Sequence, residues 1–547
     1  MRTTRIALFF ALVLGIFHPA MAQRGESYRG LLTARVRAQK LPAPAHLQAY
    51  IQDGKLRLSL RDAILLTLEN DSAIQIQETS IESQKFNLLS SYQLFDPSLQ
   101  GNLNINRSSS PGYTQLQGVG TSQNSILNTL SQSGQINWVE TFTPGTNIDV
   151  GISAVRSSTN SGFLFFNPYV SSSLNFQFTQ PLLRNAGRFA NTAYILIGRK
   201  DVAESREHFA AQVNAAVLQV VNQYWNTVAA RETLTVQQKA QQLADESYQR
   251  DKRALELGAL PPLDISRSQA EVAARKVAVI QAAYALDQAE ETLRFTIGVD
   301  QDPRYSKLPF ELTERPEPLD HLEDIDAEAA LDKAIAGRPE VAATQDALDA
   351  DQLSIRYAHN QLKPLLTLSG NYQSSGLGGN QYDLVTGSLI SAGGFGSSFN
   401  QLFGFSYPTY GGTLSLNFPV RNRAGQAELG NALVAKTRDL YNQRQTVEQI
   451  TQQVRTAADE LNTAKQALAA AVVSVDLAKK TLAADERKFE LGAETNYFVL
   501  DSQERLAQAE LILLQSQISY QVAVASVHYA TGDLIAPYRI QIDAASR

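Results

Sequence analysis

The residue types that carry most enzyme chemistry are sparse in this chain and poorly spaced for it. The 547 residues include no cysteine, which removes thiol nucleophiles, disulfides, Cys-held metal and a lipid-acceptor cysteine. The six histidines, His18, His46, His208, His321, His359 and His528, are scattered, with no pair at the helical spacing of a zinc site. No G-x-S-x-G elbow, P-loop or dinucleotide fingerprint occurs. The tightest acidic group is Glu323-Asp324 with Asp326. Two carboxylates could serve as acid and base across a concave pocket. This group instead stands beside a helix start, where negative charge favours the macrodipole. The chain is therefore expected not to be an enzyme and to hold neither metal nor cofactor.

The N-terminus speaks to compartment. Arg2 and Arg5 precede an apolar run from Ile6 to Phe17 and then Ala20-Met21-Ala22. This is the n-region, h-region and cleavage site of a secretory signal peptide, residues 1–22. Its loss would take the formal charge from -6 to -8, because only Arg2 and Arg5 leave with it. An acidic chain argues against nucleic acid as a partner. No later apolar stretch is long enough for a transmembrane helix, so an exported protein is either soluble or a membrane β-barrel.

The frame that would position any site is a long-range repeat. Gly258, Gln269 and Gly298 recur as Gly492, Gln503 and Gly532, each 234 positions later. Leu257-Gly258-Ala259 and Ser268-Gln269 return as Leu491-Gly492-Ala493 and Ser502-Gln503. Pro181…Gly187 is echoed by Pro419…Gly425, and Ala63…Pro97 by Ala330…Pro364. The chain reads as two halves of one plan, 55–298 and 325–535. A Pro- and acid-rich linker, 299–324, separates them; an irregular segment, 23–54, precedes them and a tail, 536–547, follows.

Each half has a rod free of Gly and Pro, 199–257 and 431–491, on the order of 90 Å long if helical. The second carries Ile450, Val454, Ala457, Leu461, Ala464 and Leu468 at alternating steps of three and four. That is the seam of a left-handed supercoil. Val213, Val217, Val220 and Tyr224 repeat it in the first. Four shorter helices are expected at about 57–94, 263–297, 325–362 and 495–531.

Between the helices the period changes to two. Leu99, Leu103 and Ile105 alternate with Asn and Gln; Leu174, Phe176 and Phe178, then Leu366 and Leu368, then Leu414, Leu416 and Phe418 alternate with Asn, Gln, Ser and Thr. These strands, within about 98–180 and 364–420, have one apolar face and one small, uncharged polar face, as suits a wall between lipid and a watery lumen. Four strands cannot close alone, so copies of the chain would share the barrel. A further pair, Ile136 and Trp138, then Ile148, Val150 and Ile152, could lengthen strands, form a cap or widen the barrel.

The Gln180-Pro181-Leu182-Leu183…Gly187 junction, its copy at Pro419…Gly425 and the paired Leu-Gly-Ala…Ser-Gln segments resemble the TolC-type outer membrane efflux protein family over about 55–535. The resemblance implies a mainly α chain with a membrane β-barrel. It implies a homotrimer with four strands per protomer in a twelve-stranded barrel in the outer membrane, and a long periplasmic α-barrel. The trimer would be the exit duct of a tripartite efflux or type I secretion system, docked to a periplasmic adaptor and an inner-membrane pump. The turns at Gly258, Ala259 and Leu260 and at Gly492 and Ala493 match the tips where the adaptor docks and the duct closes. At the closed tip that family uses a Tyr, an Arg and Asp residues, with an aspartate ring beyond. Asp264 stands at a lock position and Asp501 at a ring position, while Phe489, Glu494 and Phe498 replace the Tyr, the Arg and the other ring Asp. Phe498 above an Asp501 ring would suit a cation-sensitive gate. Alternatively, the two Phe pack between helices and Asp264 caps the one beginning near it. The competing functional class is a secreted structural or adhesive coiled-coil protein with β-rich domains.

Overall fold

The computed structural model describes residues 47–111, 126–161, 164–257, 262–305, 307–316, 322–491 and 493–538. The expected signal peptide lies outside them. The first half runs β1 (Ile51–Gln52), β2 (Lys55–Leu58), α1 (Leu60–Asn70), α2 (Ser72–Ser90), β3 (Ser98–Pro111), β4 (Ile126–Thr141), β5 (Asn147–Thr159), β6 (Phe166–Pro181), α3 (Arg188–Glu256) and α4 (Pro262–Thr296). After β7 (Phe310–Leu312) the second half repeats the plan: α5 (Ala327–Gly337), α6 (Pro339–Gln361), β8 (Leu365–Tyr382), β9 (Leu389–Ser391), α7 (Phe395–Phe403), β10 (Tyr407–Asn417), α8 (Arg423–Glu490) and α9 (Asn496–Thr531).

The rods are longer than their Gly- and Pro-free cores, at 69 residues for α3 and 68 for α8. The shorter helices of 57–94 and 325–362 each break in two, a correction with a local cause at each break. Asp71 turns its side chain onto the Ala73 and Ile74 N–H groups at 2.7 and 3.0 Å, starting a new helix. Arg338 precedes Pro339, whose ring disfavours helical backbone in the residue before it. The α4 and α9 ends are duplicates. Gly298 and Gly532 both close them in the left-handed conformation, at φ 73 and 79, which costs glycine least.

One compact unit combines Phe86–Arg199 with Ala350–Lys436 and holds the antiparallel sheet β10-β8-β6-β5-β4-β3, with β9 beside β8. The resemblance implied four strands per protomer; the sheet has six long ones. The pair around 136–152 is β4 and β5, inserted between β3 and β6. It is held there by complete ladders on both sides and by its turn, where the Gly187 N–H donates to the Pro144 carbonyl at 3.1 Å. Gly145 there has φ 90, and an added Cβ would lie 2.7 Å from the Asn185 carbonyl oxygen. Opposed residues share a face, so the register unites Trp138, Val150, Phe176, Tyr372 and Tyr410 into one apolar face. The edges β3 and β10 stand open, with Leu103 92% and Leu414 64% exposed.

The described residues of the other unit fall within Gln39–Lys85, Lys200–Asp349 and Thr437–Arg547. The predicted seams form its cores. Ile450, Val454, Leu461 and Leu468 are buried against Ala523, Val527 and Ala530 of α9 and Ala330 and Ala334 of α5. Val213, Val217, Val220 and Tyr224 meet Ile64, Leu293 and Ile297. The linker 299–324 does more than separate the halves, because β7 pairs in parallel with β2. Asp326 caps α5 by accepting the Glu328 N–H at 3.0 Å, as the macrodipole reading of the acidic group expects. Behind β7, the buried Tyr224 hydroxyl donates to Glu314, whose other oxygen accepts the Leu60 N–H at 3.0 Å. Burial, then Glu314, pushes the Tyr224 phenol pKa well up. Tyr224→Phe removes that donor while leaving the carboxylate in place, and is expected to cost about 1–3 kcal/mol. Thermal unfolding of the purified protein measures it, and an unchanged midpoint would show the bond to be unimportant.

Candidate functional site

The site indicated by the repeat lies where α3 meets α4 and α8 meets α9. Gly258, Ala259, Leu260 and Gly492 fall outside the described residues, as does the Asp264 side chain. The Asp264 backbone lies inside the first turn of α4, which begins at Pro262, so it does not occupy the flanking cap position. Ala493 is exposed, and its N–H closes the second turn on the Lys488 carbonyl at 2.9 Å. Phe489 is half-buried near the end of α8. Phe498 is 45% exposed and meets the Tyr497 ring edge-to-face at 5.4 Å. Asp501 pairs with Arg505 one turn on, at 2.9 Å. An aspartate ring here would thus carry its own counter-charge. Glu494, where the resemblance expects an Arg, pairs with Lys488 at 3.2 Å.

The residues that join the two helix pairs escaped the sequence reading. Ser268 Oγ donates to Asp251, and 234 positions later Ser502 Oγ donates to Asp485 at 2.6 Å. Each bond pins its helix pair just behind the tip. The signal is present in the sequence, since Asp251 and Asp485 share the 234-position spacing of the glycines. The two aspartates then diverge. Asp251 is only 4% exposed and also accepts Asn496 Nδ2 at 2.7 Å, so the first helix pair is bonded to the start of α9. Arg267 lies over the Tyr497 ring at 5.2 Å, a second link between the pairs. Among the described residues, the partners of Asp485 lie in its own pair, chiefly Ser502 and Lys488, the latter at 3.2 Å. Those two bonds, Ser502 first, hold its carboxyl below the usual range. Lys488 is shifted up by Glu494 first and then by Asp485.

Among the described residues no group of His, Asp and Glu could hold a metal ion. Polar bonds that tie neighbouring helix ends can instead hold them in one of two positions.

The strand–helix junctions differ between halves. Pro181 ends β6, and Gly187 turns the chain into α3 at φ 86. Pro419 likewise follows β10, but Gly425 lies within the first turn of α8, where its N–H donates to Asn422 Oδ1 at 3.0 Å. The two glycines therefore do different work; a side-chain cap replaces the left-handed turn.

A family model described as outer membrane efflux protein matches residues 141–299 and 330–533, more than half of the chain. The outer membrane protein TolC of Vibrio cholerae is 26% identical over 337 residues, which cover 61% of this chain and 72% of that protein. The probable efflux pump outer membrane protein TtgC of Pseudomonas putida is 22% identical over 319 residues, 58% of this chain and 60% of the relative. The crystal structure of a membrane protein from Pseudomonas aeruginosa superposes at a TM-score of 0.61 with 16% identity, covering 91% of this chain and 100% of that one. That likeness shows the fold, and the two matched segments take in most of the two halves described above. The chain belongs to the outer membrane efflux protein family.

Proposed function

We propose that the protein is the exit duct of a tripartite efflux or type I secretion system, passing cargo outward from an inner-membrane pump through a periplasmic adaptor. The observation that carries this is the six-stranded sheet, with one predominantly apolar face, one face mostly of Asn, Gln, Ser and Thr, and two open edges. A sheet edge cannot be left unpaired in lipid. The edges of β3 and β10 therefore call for neighbouring copies, and as a homotrimer, as the family resemblance implies, the chain would supply eighteen long strands rather than twelve. At a common tilt of about 40°, eighteen strands close at a diameter of about 36 Å and twelve at about 24 Å. Cargo choice and energy would come from the partners. The periplasmic tip would be the movable part, held by the Asp251 and Asp485 bonds.

The test is purification from outer membranes in detergent, electrophoresis before and after heating, and planar-bilayer conductance. A heat-modifiable trimer that conducts is the expected result. A soluble monomer without conductance would favour the secreted coiled-coil reading.

A further inference from the structure

The short helix α7 lies on the wrong side of the sheet for a lumen plug. The register opposes Phe176 to Tyr372, Leu174 to Ser374, Ser172 to Gly376 and Val170 to Gly378, so all of these positions share the apolar face. α7 rests on that face. Ser398 Oγ donates to the Gly376 carbonyl at 2.9 Å and lies 2.6 Å from Ser172 Oγ, and Ser374 Oγ donates to the Leu402 carbonyl at 2.7 Å. The approach is so close that a Cβ at Gly376 or Gly378 would meet backbone oxygens at 1.9 or 2.3 Å. Leu402 and Ser398 are fully buried.

Below this level the sheet meets lipid with its own Leu, Ile, Phe and Tyr. At this level its outward residues on β8 and β6 are mostly Ser and Gly, which would offer hydroxyls and bare backbone to hydrocarbon. The helix covers them and presents Phe395, Phe399 and Phe403, stacked ring on ring at 6.2 Å. Phe395 and Phe403 remain 44% and 39% exposed. No Asp, Glu, Lys, Arg or His occurs from 384 to 420, although a loop in water has no reason to exclude charge. Depth is marked by Arg156, which opposes Val170 and so shares the level of Gly378, where α7 begins. An outward Arg belongs at the headgroup boundary, which sets the Leu402 end deeper.

We propose that α7 is an external membrane element: its Phe ladder replaces the missing apolar side chains of β6 and β8 and packs against the acyl chains of the outer leaflet. The proposal rests on the outer-membrane reading. The cysteine-free chain suits a nitroxide test. Phe399→Cys, Phe403→Cys, Leu414→Cys on β10 and Thr386→Cys in the β8–β9 turn would each be labelled in the full-length protein. Each would be reconstituted in phosphatidylethanolamine–phosphatidylglycerol vesicles, with heat-modifiable assembly as the check on folding. Labels at 399 and 403 are expected to show an oxygen-to-nickel-chelate accessibility ratio several-fold above that at 386 and similar to that at 414. A low ratio at 399 and 403 with a high one at 414 would overturn the proposal and leave the membrane reading intact. A low ratio at 414 as well would overturn both.

Discussion

Cysteines placed on β3 and β10 are expected to convert the protein into a covalent trimer. Asn102, Asn104 and Asn106 of β3 and Gly411, Thr413 and Ser415 of β10 share the small polar face, and the native chain has no thiol to interfere. A disulfide forms only where Cα atoms approach within about 7 Å, so a matched pair reports direct strand neighbours. At the correct register, one Cys on each edge should move most of the chain, after heating, to three times the mass of the heated, unlinked monomer. That result establishes closure, but either strand count would give it. The count is decided inside one chain. Asn104→Cys with Ser133→Cys of β4 should link intramolecularly, as their pairing requires, whereas Asn104→Cys with Asn175→Cys of β6 should not. The opposite pattern would put β3 directly on β6, expel the β4–β5 hairpin and return the barrel to twelve strands.

Asp251→Ala is expected to open the tip. It leaves the Ser268 hydroxyl and the Asn496 amide without their shared acceptor and removes a bond between the two helix pairs. Losing a buried acceptor costs about 1–3 kcal/mol, which is about five- to 150-fold in a two-position equilibrium. The readout is the open fraction of single channels in planar bilayers. Asp485→Ala should have a clearly smaller effect, because its partners Ser502 and Lys488 lie within its own helix pair. Equal effects, or an unchanged open fraction in an intact Asp251→Ala trimer, would remove Asp251 from the gate. Acid adds a directional test. The Asp485 carboxyl is depressed by the Ser502 bond and then by Lys488, so its contribution is complete above the ordinary carboxylate range. It is lost only as pH falls through the depressed value. The second helix pair should therefore hold at neutral and mildly acidic pH and loosen only in stronger acid.

The sequence by itself determined the duplicated plan, the two rods, the seam residues that became buried, and the alternation that gives the sheet its two faces. These are periodic properties, in which burial on one side repeats every 3.5 or 2 residues whatever the partner. It also placed the Gly298 and Gly532 helix ends, because a left-handed residue favours glycine locally. Only the tertiary structure decided what each periodic face touches. β4 and β5 have the same alternation whether they cap, lengthen or widen a sheet; the ladder hydrogen bonds on both their edges put them between β3 and β6. Asp251 and Asp485 look alike in the sequence, but Asn496, 245 positions from Asp251, reaches only one of them. α7 would suit a plug or an external helix equally by composition; which face of β8 carries Gly376 and Gly378 is a matter of register, and register is fixed by pairing between strands far apart in the chain.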